Sequence, residues 1–163
     1  MPDVARFQSW VTYDVGRTAR LVEEQVNLAP NTPDTWLQLV IVEKTTETVI
    51  GDTAIHFPDE DEEQQVEVGI NLSPEYQHRG FAAEALQTLF GYLFDQLNKH
   101  RIIAITDTEN QSAADLFRRL GFRQEGHFIE NVWFKGAYGS EYLFAMLKRE
   151  WDARPEHAAN TKV

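Results

Sequence analysis

The chain has 163 residues, a net charge of −11, no cysteine, and 42% hydrophobic residues that include ten Phe and four Trp. That length and apolar content suit one packed domain with a substantial core, while the absence of cysteine excludes disulfides, thiolate metal sites and a cysteine nucleophile. The acidic balance argues against sequence-independent binding to nucleic acid, no apolar run approaches the length of a membrane span, and Met1-Pro2-Asp3-Val4 lacks the features of a secretory signal, so a cytoplasmic protein without membrane or metal is expected.

Val4, Phe7 and Trp10 recur at helical spacing near the start, in a stretch too short to hold a helix without packing. Leu21, Val22 and Val26 fit a helix within Asp14 to Asn27, and Ala29-Pro30-Asn31-Thr32-Pro33-Asp34 reads as a loop. Trp36 to Glu43 and Thr48 to Phe57 are strand-like runs joined by Lys44-Thr45-Thr46-Glu47, which makes a hairpin. The acidic stretch Pro58 to Glu63 reads as a solvated turn, and secondarily as a dock for a cationic group, before a third strand, Val66 to Leu72.

In that third strand Val66, Val68, Ile70 and Leu72 share one face, and Glu67, Gly69 and Asn71 share the other. Pro74 ends it. After Gln77-His78-Arg79-Gly80-Phe81-Ala82, the residues Ala82, Ala85, Leu86, Leu89, Leu93 and Leu97 form an apolar helical stripe, so a helix begins near Gly80 and runs to about Leu97. The start of a helix presents unpaired amides and the positive end of its dipole, which suits phosphate oxygens. Gly80 either lets the backbone approach such an anion or merely permits a tight strand-to-helix turn.

Arg101 to Asp107 is a short, nearly continuous apolar run, as in a strand covered on both faces, and the strand-helix-strand order implies a parallel crossover. Asn110 precedes a second helix with Ala113, Leu116, Phe117 and Leu120 on its apolar side and Gly121 as its stop. Phe122 to Val132 and Glu141 to Lys148 are the remaining strands, and Trp151 to Val163 reads as a polar, frayed tail.

Gln77-His78-Arg79-Gly80-Phe81-Ala82 after a strand, Asn110 before the next helix and Leu120-Gly121-Phe122-Arg123-Gln124-Glu125-Gly126 after it resemble the GCN5-related N-acetyltransferase superfamily. Pro2 to Phe7, Ile50-Gly51-Asp52 and Glu141 to Trp151 are similar to its branch that acetylates ribosomal-protein N-termini. The resemblance covers nearly the whole chain. It implies an α/β (α+β) fold: a mixed, mostly antiparallel central sheet flanked by helices, with a splayed parallel strand pair. It also implies transfer of an acetyl group from acetyl-CoA to a primary amine, on a protein N-terminus or a small molecule, by direct attack in a ternary complex.

On this resemblance the amides from Gln77 through His78, Arg79, Gly80 and Phe81 to Ala82 hold the cofactor pyrophosphate, and backbone groups of Ile70 and Leu72 hold the pantetheine arm between the splayed strands. Asn110 matches a position that contacts the cofactor or fixes those strands, and as a helix cap it has a second reading of equal weight. Phe117 occupies the place of a tyrosine that protonates the departing thiolate in many members, and Ala113 the place of a serine. A thiol with pKa roughly 8.5 can leave near neutral pH without full protonation, so the missing acid does not preclude transfer.

The base matters more. A lysine-like amine of pKa about 10.4 is almost wholly protonated at neutral pH, a penalty of about 4 to 5 kcal/mol, against about 1 kcal/mol for an α-amine near 8. Glu67 is the candidate to take the proton, directly or through water; an exposed strand carboxylate is its other reading. His56, His78 and His127 are weaker candidates, and Arg79 is either a second charge for the pyrophosphate or a solvated side chain.

Members of this branch carry a further strand and helix before the segment matching Pro2 to Trp10. The first family strand is therefore missing, and the strand from Trp36 to Glu43 becomes an open apolar edge. A second copy of the chain covers it, as a homodimer, or the natural start lies upstream. The rival functional reading is a non-catalytic acyl-CoA-binding module.

Overall fold

The computed structural model describes Phe7, residues 15–59 and residues 64–155. Val4 and Trp10, residues 60–63 of the acidic turn and the end of the C-terminal tail from residue 156 lie outside them. Helix α1 spans Val15–Val26 and leads to β1 (Thr35–Glu43), β2 (Thr48–Phe57) and β3 (Gln65–Leu72). Helix α2 (Phe81–Gly91), β4 (Arg101–Asp107) and α3 (Gln111–Arg119) follow, then β5 (Arg123–Phe134), β6 (Ala137–Leu147) and the short α4 (Lys148–Asp152). The six strands form one sheet in the order β1-β2-β3-β4-β6-β5, antiparallel except for the β3–β4 pair.

Period-2 alternation sets the two faces of this sheet. Ile55, Phe57, Val66, Val68, Ile102, Ala104, Phe144 and Met146 are buried against Leu86, Phe90, Leu93 and Phe94 of the α2 region and Leu116 and Phe117 of α3. Cross-strand register assigns Trp36, His56, Glu67, Ile103, Ile105, Asp107 and Glu141 to the opposite face. The β4 run is thus covered on one side only: Ile105 is 39% exposed on the second face, contrary to the expectation of a strand buried on both. Its apolar residues there line the open face that holds Glu67.

Three elements depart from the sequence reading. The helix expected from Gly80 to Leu97 changes at Gly91 into a wide π turn, Tyr92–Gln96, closed by Leu97 N–H donating to Tyr92 O at 3.0 Å. Trp151 sits beside that turn and its indole N–H donates to Asp95 at 3.3 Å, so packing from the far end of the chain, invisible to local periodicity, accompanies the altered winding. Trp151 itself is 3% exposed and packs on Phe90 and Phe94, so the described start of that tail is anchored through α4 rather than frayed from Trp151. The last hairpin is also longer than expected, because Lys135 and Gly136, both with positive φ, make a two-residue turn that joins Phe134 directly to Ala137.

β1 lies at one edge of the sheet, as expected. Its first residues are clasped by α1: Gln25 donates to Trp36 O and accepts from Gln38 N–H, both at 2.9 Å. A side-chain amide thus does for two edge groups what a neighbouring strand would do, while Leu39, Val40 and Val42 remain exposed.

Candidate active site

The site begins where a parallel ladder stops. β3 and β4 pair only at Gln65–Arg101, Val66–Ile102 and Glu67–Ile103; beyond Glu67 each strand continues without the other. Ser73 N–H donates to Ile50 O, so by the alternation of antiparallel pairing Asn71, Gly69 and Glu67 bond β2, and the peptide groups of Val68, Ile70 and Leu72 turn toward β4. Thr108 N–H donates to Ser140 O, which by the same alternation turns Ile105 and Asp107 toward β3. Ile70 and Ile105 therefore face one another across the gap with ladder groups that no rung joins. Buried peptide groups need partners, so a cleft of this kind suits an extended ligand bearing amides. Leu72 is already half engaged, since its carbonyl accepts from Gln77 Nε2 at 2.9 Å. Gly51 permits a close approach of β2 to β3 beside the gap: a Cβ there would lie 2.1 Å from Asn71 O.

The turn above the gap leaves backbone donors open. A short 3-10 turn, Pro74–Tyr76, is followed by His78 and Gly80 with φ of 58° and 90°, and Gly80 is the N-cap of α2. Glu84 N–H is the amide that reaches Gly80 O, so the amides of Phe81, Ala82 and Ala83 have neither an intrahelical acceptor nor a capping side chain. A Cβ at Gly80 would meet nothing within 4 Å. The glycine is demanded by its left-handed backbone and leaves open space in front of these donors. Arg79 lies 5.0 Å from the Phe81 ring centre and 5.5 Å from that of Tyr76, so its cation borders the turn while stacked on both rings. Open amides, left-handed turn and splayed strands fit a pyrophosphate followed by a long amide-bearing arm, as in an acyl-CoA.

Asn110 is the N-cap of α3, its Oδ1 accepting from Ala113 N–H at 3.2 Å, and its own N–H donates to Asp107 O at 3.0 Å. Its side chain thus caps α3, and its backbone ties the start of that helix to the end of β4. Phe117 is 2% exposed and packs between Phe122 and Phe144, so its ring belongs to the core.

On the opposite face, Glu67 of β3 stands directly opposite His56 of β2, whose ring stacks on Trp36 at 4.7 Å. Burial pushes the Glu67 carboxyl above its ordinary range, nearby His56 pulls it back, and Glu141 raises it further. Asp107 and Glu141 are cross-strand neighbours on this face, with Glu141 Oε2 accepting from Asn131 Nδ2 at 2.6 Å. Asp52 accepts from Asn71 at 3.5 Å across the β2–β3 ladder, and its carboxyl is raised by burial and lowered by that bond. Sequence reading found Glu67 and His56 but not Glu141, Asp107 or Asp52, because their common face depends on strand order and register. His127 pairs with Tyr142, on the sheet face opposite Glu141, and packs on its ring.

The family profile described as Acetyltransferase (GNAT) domain matches residues 1–123. The chain belongs to the GNAT acetyltransferase family. Among GNAT relatives, an N-acetyltransferase p20 of Bacillus licheniformis is 36% identical over 111 residues, 68% of this chain and 62% of that protein. A spermidine N(1)-acetyltransferase of Escherichia coli K12 is 30% identical over 98 residues, 60% of this chain and 53% of that one. The matched stretch thus spans between half and two thirds of these relatives' own length. The GNAT fold is shown by spermidine N-acetyltransferase of Vibrio cholerae in complex with CoA and spermine, which superposes with a TM-score of 0.77 at 22% identity over 91% of this chain and 85% of that one.

Proposed function

We propose that this protein transfers an acetyl group from acetyl-CoA to a primary amine. The single observation that carries the reading is the divergence of β3 from β4 directly below the open amides of α2, since it joins an anion site to an amide-binding cleft in one path. The thioester supplies an activated acetyl group when bound. Gln77 N–H donates to Pro74 O, so within the Gln77 to Ala82 turn it is the open amides at the start of α2 that hold the diphosphate; the Ile70 backbone orients the arm, and Glu67 accepts the proton of the attacking amine directly or through a water. A carboxyl raised by burial toward neutrality is better matched to this task than an ordinary one.

The face around Glu67 also carries Asp52, Asp107 and Glu141. Those carboxylates favour an acceptor with positive charge beyond its reacting amine, such as a polyamine, over a neutral small amine. Spermidine acetyltransferases among the relatives and fold neighbours support that choice.

Calorimetry with CoA, followed by thiol release from acetyl-CoA in the presence of spermidine, spermine and short peptides, tests the proposal. Saturable turnover with a polyamine is the expected result. CoA binding without turnover on any amine would instead favour a non-catalytic acyl-CoA-binding module.

A further inference from the structure

Thr106 lies on β4 in the stretch that has already parted from β3. It is 6% exposed, and its hydroxyl is buried with no hydrogen-bond partner among the described residues. Its neighbours on the same strand face, Ile102 and Ala104, are fully buried and apolar, and Tyr142 stands opposite it on β6. Valine has nearly the same shape and would fill this position without a stranded hydroxyl. A buried hydroxyl left unbonded is costly, and one in a native chain calls for a partner.

The register indicates where such a partner would come from. Glu67 pairs with Ile103, so continuing the same parallel register would set Ile70 beside Thr106. The two residues therefore occupy facing banks of the gap, on the face that α2 and α3 cover. Just beyond the strand, Asn110 pins α3 to the end of β4 through its bond to the Asp107 carbonyl, which fixes the bank that carries Thr106.

We propose that the Thr106 hydroxyl is a binding residue for the pantetheine arm of the acyl-CoA, hydrogen-bonded to an arm amide opposite the Ile70 backbone. A hydroxyl both donates and accepts, so it serves either the N–H or the carbonyl of an amide. The inference rests on the acetyl-CoA reading and adds to it a side chain on the β4 bank, where the sequence had indicated backbone contacts from β3 alone.

The test compares Thr106→Val and Thr106→Ser with the native chain, using calorimetry with CoA, calorimetry with adenosine 3′,5′-bisphosphate, which lacks the arm, and thermal unfolding without ligand. Thr106→Val is expected to weaken CoA binding roughly five- to tenfold. Thr106→Ser retains near-native affinity, the bisphosphate binds all three alike, and the unliganded melting temperature of Thr106→Val is equal to or above native. Equal CoA affinity in native and valine forms overturns the inference while leaving the acyl-CoA site standing. A lower melting temperature together with equally weakened bisphosphate binding overturns it in favour of a structural role. Failure of the native chain to bind CoA is a separate result and overturns the functional reading itself.

Discussion

Glu67 and His56 face one another across the β2–β3 ladder, and the His56 ring is stacked on Trp36. This arrangement holds a part-buried carboxylate beside the strand gap with a basic neighbour that restrains its protonation. Replacing Glu67 by Gln removes the proton acceptor but keeps the shape. The loss of rate should be larger for an aliphatic amine of pKa about 10.4 than for an α-amine near 8, because a far smaller fraction of the first is free amine at neutral pH and it leans harder on the base. Equal losses on both acceptors, measured as kcat/KM, would remove Glu67 from that role.

The same variant has a stability signature. Because burial raises the Glu67 pKa, ionising it costs more in the folded chain than in the unfolded one. Stability contributed by the group therefore falls as pH climbs from the ordinary carboxylate range through the raised value. Glu67→Gln should melt at a higher temperature than the native chain at pH 7, and the difference should vanish below about pH 4. Thermal scans across that interval check the sign.

Glu125 behaves oppositely. Hydrogen bonds from Arg101 and Arg123 lower its pKa to about 2, and Arg123 also bonds Glu150. Its stabilising contribution is present above its ordinary pKa and disappears as pH falls from about 4.5 toward 2. Glu125→Gln should lower the melting temperature at pH 7, with the gap to the native chain closing through that window. The group is partly open to solvent, so the effect at pH 7 is expected to be modest.

Gly80 combines a left-handed backbone with unfilled space before the first amides of α2. Gly80→Val should cost about 1 to 2 kcal/mol of stability from backbone strain and weaken CoA binding at least tenfold by placing methyl groups over the donors. Circular dichroism should show an intact fold. An unchanged CoA dissociation constant would contradict the anion-turn assignment.

At the far edge of the sheet, Gln25 supplies two hydrogen bonds to β1. Gln25→Ala should cost about 1 to 3 kcal/mol in chemical unfolding, since both edge groups lose a partner. Size-exclusion chromatography of the same variant reports whether the uncovered strand then recruits a second copy.

Local pattern carried most of the fold. The alternation in Val66 to Leu72, the stripe from Ala82 to Leu93 and the Asn110 to Gly121 bracket around α3 all correspond to elements because each signal lies within a few residues. What escaped was set at long range. The π turn adjoins Trp151, which lies 56 residues from its partner Asp95, and the half-open face of β4 depends on which face of the sheet the helices cover. The turn proposed for the cofactor was legible because its signals, Gln77 to Ala82, are contiguous. The acceptor side was not, since Glu67, Asp107, Glu141 and Asp52 come together only through strand order, and a stranded hydroxyl such as that of Thr106 has no sequence signature.

Initial rates measured while both acetyl-CoA and a polyamine are varied test the central claim most directly. Direct transfer in the strand gap requires both substrates to be bound together, so reciprocal plots should intersect. Parallel lines, the mark of an acetylated enzyme, would contradict the account, as would an absence of turnover when the native chain binds CoA.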